Sequence, residues 1–470
     1  MNGLVWLRSD LRIDDNPALN IANNECSKIA CIYLLSEKEW KSHNNANVKL
    51  DFVIRNLSDL KNDLQKHNIP LVTASIKSFD EVSIEIERFC EKNNISKCYW
   101  NKEFGVDERE RDKNVELSLK KSKIEYQSFD EQVIFKPGSI LTGQGKPFSV
   151  FTPFKKKWIE NFSLDHLELE SKISIKKPFH LADSELKEIS FNQTHHVDMN
   201  LWPSGESSAK NRLENFLHNK VNNYSRDRND PILDATSRLS PYLASGVISN
   251  RRCLLEALKL NNFEFQTGNK GVCKWIDEII WREFYKNIMF CFPKVSKGKP
   301  FQDYSNNIKW RYSENEFHAW KEGKTGFPIV DAAMRQLIHE GWMHNRLRMV
   351  VAMFFTKNML HDWRLGEAYF MKNLIDGDFA SNNGGWQWSS STGTDAAPYF
   401  RIFNPITQSI NFDKEGLFIK KYVPELKDLD KSVIHNPPKE HRKYCNYPEP
   451  ILDLKESRLR AIEAFKVAKS

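Results

Sequence analysis

Over the first 130 residues, short apolar runs alternate with stretches in which apolar positions recur every three or four residues. The runs 4–7 (LVWL), 29–35 (IACIYLL), 71–74 (LVTA) and 97–100 (KCYW) are nearly continuous. That is the pattern of strands covered on both faces. Between them, 47–66, 80–92 and 108–121 carry the helical period. Strand–helix alternation of this kind predicts a doubly wound α/β domain with a parallel sheet over residues 1–130. Its only glycines are Gly3 and Gly105. The G-x-G-x-x-G phosphate loop is therefore missing, and nothing is held here as on a Rossmann fingerprint.

The pattern then loses its order. Residues 131–200 open on a turn-rich run (KPGSILTGQGKPF), pass through the basic, aromatic VFTPFKKKW, and end polar and weakly periodic. They predict a long connector across the first domain's surface, with some local helix. The pair His195-His196 invites a metal, but adjacent side chains point apart and no suitably spaced carboxylate follows, so a solvated linker is the reading. From residue 201 to 470 the helical period dominates, at 206–218, 249–260, 272–290, 328–340, 345–360 and 363–374, and again in the amphipathic 453–468. An all-helical domain is predicted, with no disordered tail after it.

Composition changes little in this picture. Apolar residues make up 40% and charged residues 28%, as in an ordinary soluble protein. Thirteen Trp and thirty Phe suggest aromatic-lined pockets as well as core. A net charge of +7 permits an anionic partner without predicting one. The eight cysteines contain no C-x-x-C and read as reduced thiols, not disulfides or zinc ligands. Only Cys445 lies beyond residue 291, which excludes an iron–sulfur cluster in the C-terminal part. The uncharged run before Arg8 is only five residues long after Asn2, too short for a signal peptide or anchor, and the chain is expected to stay in the cytoplasm.

One stretch fits none of these patterns. Residues 376–405, DGDFASNNGGWQWSSSTGTDAAPYFRIFNP, follow neither a 3.6 nor a 2 period. Trp386 and Trp388 stand two apart. If the segment is helical, one faces a buried partner and the other a cavity or solvent; a Trp-rich turn packing two helices explains the composition equally well. Three further groups carry candidate chemistry. TSRLS (236–240) offers hydroxyls and an arginine, and alone reads as a helix cap. WIDEIIWREFY (275–285) puts Trp275, Glu278, Trp281, Arg282 and Tyr285 on one side of a helix, where a structural helix would bury Leu or Ile. WMHNRLRM (342–349) places Asn345, Arg348 and Met349 on one helix face.

These residues, with WLRSDLRIDDNPAL near the start and FDKEGLFIKKYVPEL near the end, resemble the DNA photolyase/cryptochrome family over essentially the whole chain, and most closely its microbial class I cyclobutane pyrimidine dimer photolyases. The resemblance implies FAD, active in its fully reduced form, in the helical domain. It assigns Tyr224 and the loop Thr236, Ser237, Arg238, Leu239 and Ser240 to the cofactor and its diphosphate. Trp275, Arg282, Asn345, Arg348, Asp376 and Asp378 also belong to the flavin site. Asn382 stands beside flavin N5, where plant cryptochromes carry Asp, and so points to repair and not signalling. For the substrate, Trp281 and Trp388 are implied as stacking walls, Glu278 and Asn345 as partners of base edges, and Met349 as apolar fill. Arg228, Arg346 and Arg401 are implied as phosphate contacts, although each alone reads as a solvated charge. Trp386, Trp363 and Trp310 match an electron relay from surface to flavin.

In the first domain His43, Asp107, Glu108 and Lys297 resemble a site for a folate antenna, 5,10-methenyltetrahydrofolate. The family pattern has Asn where Asp107 stands, and the two adjacent carboxylates are expected to raise the pKa of one of them. A deazaflavin, or no antenna, stays open. The implied activity is light-driven repair of cyclobutane dimers in UV-damaged DNA by a monomer with no obligate protein partner. A blue-light-sensing cryptochrome and a (6–4) photolyase are the alternatives. The (6–4) enzymes carry a histidine at the place of Asn345.

Overall fold

The computed structural model describes residues 1–169, 173–182, 186–189 and 194–470. Five parallel strands, β1 (Asn2–Leu7), β2 (Lys28–Ser36), β3 (Leu71–Ile76), β4 (Lys97–Asn101) and β5 (Glu125–Phe129), form one sheet in the order β3-β2-β1-β4-β5. The doubly wound reading holds. Four strands fall where the apolar runs placed them. β5 was not foreseen, because EYQSF is a partly exposed edge strand with no apolar run. The helix Pro17–Glu25 also escaped the pattern; its signal is local, with the Asn16 side chain accepting from the Leu19 amide and Pro17 at the first turn.

Alternation along β1 divides two cores. Leu4 and Trp6 pack with Ile32, Cys98 and Trp100 on one face of the sheet. Val5 and Leu7 join Cys31, Tyr33 and Leu35 on the other, and this second core runs on without a break into Trp202, Tyr242, Ile276 and Phe284 of the helical region. The strand–helix region and the helical region therefore share one hydrophobic core.

The charged run after β1 makes the joint between them. Arg12 is buried and donates to the carbonyls of Asp14, Asp15 and Gly246 at 2.9, 2.7 and 2.9 Å, and also pairs with Glu131. Asp14 meets Arg252 and Asp15 meets Arg251, each at 2.9 Å. Gly246, at φ +67°, lies so close to Ser9 that a Cβ would sit 1.9 Å from the Ser9 carbonyl oxygen. The connector is fastened as well. The buried carboxylate of Glu283 accepts from the amides of Ile134 and Phe135 (2.6 and 3.0 Å) and from Trp158 Nε1 (2.7 Å). A regular helix, Phe151–Asn161, forms within it. His195 lies 3.2 Å from Asp51, and no cluster of metal-ligating side chains occurs among the described residues.

Beyond residue 201 every regular element is helical. The longest, Lys270–Cys291, packs against Phe379–Ser390, which also contacts Asn345–Met353 and Trp363–Met371. The segment expected to be one helix over 345–360 changes at Phe354–Asn358 into a π-helical turn. Among the described residues, no helix is long and apolar enough to cross a membrane.

Candidate functional site

Within the aperiodic stretch 376–405, Phe379–Ser390 is a helix. The Asp378 side chain caps it, accepting from the Ser381 amide at 2.9 Å. The other Asp378 oxygen accepts from Lys286 at 3.0 Å. Burial acts to raise this carboxyl, but the charges of Lys286 and Arg282 and the Ser381 amide outweigh it and hold it well below the ordinary range. Gly384 lets the helix lie on Tyr285, since a Cβ there would fall 2.2 Å from the ring. With the segment helical, Trp386 is buried against Phe370 and Phe355, with ring centroids 5.0 and 5.8 Å away, while Trp388 stays partly exposed. The two faces expected of a helical Trp-x-Trp are both present.

Around this helix buried polar atoms are left without a partner. Arg348 donates to Asp376 Oδ2 at 2.8 Å and to the Met343 carbonyl at 2.8 Å. Asp376 Oδ1 is buried without a hydrogen-bond partner, so it demands a donor. Asn382 spends its amide N–H on the Glu367 carbonyl, 3.0 Å away, which turns the amide oxygen elsewhere. Glu367 itself, pressed by burial, is pushed up to about 7. His344 begins the Asn345–Met353 helix, its Nδ1 accepting from the Arg346 amide, and its Nε2 is buried without a partner. Burial and four neighbouring arginines lower it to about 3, so the imidazole is neutral. Asn345 is exposed and Met349 partly so.

Sequence reading passed over Glu367, Lys286 and His344. Glu367 and Lys286 stand inside helical patterns, where a charged residue reads as part of the solvent face, and His344 stands in the gap between two of them.

The phosphate-loop candidates are also grouped. Thr236, Ser237 and Ser240 are partly exposed, Leu239 is buried, and Arg238 holds φ +48°. Trp342 Nε1 donates to Ser240 at 3.2 Å, and the Arg238 guanidinium lies 4.8 Å over the Trp342 ring. Tyr224 and Trp275 are both buried against Phe216, with ring centroids 5.6 and 5.1 Å away. Arg282 is tied to the carbonyls of Gln132 (2.8 Å) and Leu243 (3.2 Å), which makes it a strut between connector and helices.

Two of the rim arginines are already engaged. Arg228 forms an ion pair with Glu278, so neither is a free group. Arg346 donates to Asn229 Oδ1 at 2.8 Å and covers Phe412 at 4.4 Å. Its guanidinium is held below its ordinary value by burial and by the charges of Arg228 and Arg401. Arg228 and Arg401 thus stand close enough for their like charges to act on Arg346. Trp281 lies face to face with Phe151, at 3.7 Å between centroids and 8° between planes.

The relay candidates share one region. Trp386 and Trp363 are members of one buried cluster, and Trp310 packs on its edge, partly exposed. Gly366 makes this possible, because a Cβ there would fall 2.2 Å from the Trp386 ring. A fourth tryptophan, Trp320, is fully buried 6.2 Å from Trp386 and was not foreseen.

A cavity of about 420 Å³ opens between the two regions. Tyr33, Trp40, His43, Phe79, Asp107, Glu108 and Arg111 line one side, and Lys286, Glu367, Met371 and Ala380 the other. His43 bridges both acids, Nε2 to Asp107 at 3.0 Å and Nδ1 to Glu108 at 3.5 Å. Glu108 is raised, as expected, but by burial first and by the charge of Glu103 next; Asp107 is not the cause. Lys297 is exposed beside this cavity, with its neighbours Ser296 and Gly298 in the wall.

The family model described as DNA photolyase matches residues 3–172, and that described as the FAD binding domain of DNA photolyase matches residues 275–467. The chain belongs to the DNA photolyase family. Its cofactor is FAD, and the unpartnered Asp376 oxygen fits the N–H or O–H edge such a group offers. The chain is 39% identical to the deoxyribodipyrimidine photo-lyase of Escherichia coli K12, over 99% of this chain and 98% of that one. Among solved structures it superposes on a class III photolyase from Agrobacterium tumefaciens with a TM-score of 0.90 at 31% identity, covering 100% and 98% of the two chains. An archaeal photolyase from Sulfolobus tokodaii, solved with two FAD molecules, matches with a TM-score of 0.82 at 29% identity, covering 99% of this chain and 100% of that one. A bacterial and an archaeal photolyase thus share its architecture over nearly the whole chain.

Proposed function

We propose that this photolyase-family chain splits cyclobutane pyrimidine dimers in DNA under blue light. The observation that carries the reading is the near-complete likeness to a deoxyribodipyrimidine photo-lyase. The geometry supports it. Arg348, Asp376 and Asn382 would hold the flavin ring, with the Thr236–Ser240 loop at its phosphates. Bound FAD would supply light absorption and the electron that opens the dimer.

The rest falls to the side chains. A lesion within a duplex must leave the stack to reach a buried site, as the handling of single bases by DNA-modifying enzymes requires. Arg228, Arg346 and Arg401 would grip the flanking phosphates, and Trp281 and Trp388 would receive the extruded bases on their rings. Glu278 pairs with Arg228 in the free protein. It would exchange that partner for a base edge as a phosphate takes its place beside Arg228. Neutral His344 adds no charge beside these arginines. The cavity between the two regions would hold an antenna. His43, Asp107 and Glu108 suit the amino-pyrimidinone edge of a folate, and exposed Lys297 suits its acidic tail.

The test is irradiation of the reduced holoenzyme with oligonucleotides carrying a defined lesion. The expected outcome is restoration of thymines from a cyclobutane dimer, with a (6–4) product left unchanged. The opposite selectivity would overturn the assignment.

A further inference from the structure

The connector between the two regions supplies a ring to the substrate wall. Phe151, in the run VFTPFKKKW, stacks on Trp281 with 3.7 Å between centroids and 8° between planes. Such parallel overlap occupies one face of the indole. Tyr285, one turn further along the Trp281 helix, lies 5.5 Å from it at 32° and closes part of the remaining space. Trp281 is thereby held by a ring from its own helix and a ring from outside it.

Phe151 is itself pinned. It is the first residue of its helix, and its amide donates to Asp395 Oδ2 at 3.1 Å. Two residues before it, the Ser149 carbonyl accepts from the Thr394 hydroxyl at 2.5 Å. Asp395 holds φ +45°, a left-handed backbone that a non-glycine residue adopts only when its surroundings fix it. The same turn is bound to the second wall, because the Ala397 amide donates to the Trp388 carbonyl at 3.2 Å. One continuous path of contacts therefore links the two tryptophans: Trp281, Phe151, Asp395, Ala397, Trp388.

We propose that Phe151 is a positioning residue for lesion recognition: it holds Trp281 at a fixed angle and, through Asp395, at a fixed distance from Trp388. The proposal rests on the reading of Trp281 and Trp388 as the stacking walls. Binding of undamaged DNA uses the arginines and is independent of this path. Only the preference for a lesion depends on it.

The experiment compares the affinity of the FAD-loaded protein for a cyclobutane-dimer oligonucleotide and for its undamaged counterpart. Phe151→Leu is expected to weaken lesion binding about two- to tenfold, the range of an aromatic pair. Binding of undamaged DNA and FAD content stay as in the parent, and Phe151→Tyr restores lesion affinity. Trp281→Ala serves as the reference. If it leaves lesion binding intact, the wall reading itself fails. If it weakens binding and Phe151→Leu does not, only the role of Phe151 fails. In the double variant the Phe151 effect disappears, because it acts through Trp281; strict additivity would overturn the proposal. Should Phe151→Leu not fold, Asp395→Asn keeps the residue's shape, weakens the grip on the Phe151 amide and is read by the same ratio of affinities. An unchanged ratio in Asp395→Asn would likewise overturn it.

Discussion

Lys357 is fully buried in the π-helical turn, where its ammonium donates to the Ser391 hydroxyl at 2.6 Å and the Tyr399 carbonyl at 3.2 Å. Burial, with the charge of Lys469 nearby, lowers it to about 7. The unfolded chain binds this proton up to the ordinary lysine range near 10.5. Between the two values the unfolded state holds a proton that the folded state lacks, so stability rises with pH, by at most about 1.4 kcal/mol per unit. Below pH 7 both states are protonated and the penalty is constant. Lys357→Met is therefore expected to be more stable than the parent at pH 7, with the gap closing towards pH 10. Urea unfolding of both proteins across that window measures it; parallel profiles would show that the amine is solvated. Arg346 gives a second test at this scale. Its alanine variant should lower the slope of log affinity against log salt by about one unit, as the loss of one phosphate contact requires. An unchanged slope would make Arg346 a surface charge.

Among the elements, the most informative helix was the hardest to read. Phe379–Ser390 has no period because it is enclosed nearly all round: Ala380, Asn382, Asn383, Trp386, Gln387, Ser389 and Ser390 are all buried. A stripe exists only where one face meets water. The long helix 270–291 keeps the partly exposed Lys274, Asp277, Glu278 and Arg282 along one side and was found to within two residues. Short helices such as Glu314–Lys321 and Lys439–Tyr444 hold too few turns to show one. Site residues followed the same logic. Groups that cluster in one segment, such as Asn345, Arg348 and Met349, were visible, whereas Glu367 and Phe151 matter only through partners far along the chain. The Trp363–Met371 helix is placed on Trp386 by Gly366, and Trp310 stands at the exposed edge of that cluster. Trp310→Phe is expected to block photoreduction of the oxidised holoenzyme by an external donor, because phenylalanine is far harder to oxidise. Repair by chemically reduced enzyme should persist. Normal photoreduction would remove Trp310 from the relay.

At the scale of the whole molecule, the cavity between the two regions sets the next expectation. Asp107 accepts hydrogen bonds but lacks the amide donor of the family's Asn, so folate should bind and be partly lost on purification. Asp107→Asn should improve retention, and Glu108→Ala should abolish it with flavin-only repair intact. Near-ultraviolet absorbance after adding folate, with the action spectrum of repair, measures both; an action spectrum following reduced flavin alone in all forms would exclude a folate there. The joint at Ser9, Arg12 and Gly246 bears on how such a chromophore would work. Transfer of excitation between two dyes falls with the sixth power of their separation and depends on the angle between their transition dipoles. At Gly246 backbone meets backbone with no room for a methyl group, and Arg12 and Arg252 tie together the chain segments on either side. A dye seated in the cleft would keep one distance and one angle to its acceptor. Light gathered in the first region would then reach the second with a yield that barely changes with temperature.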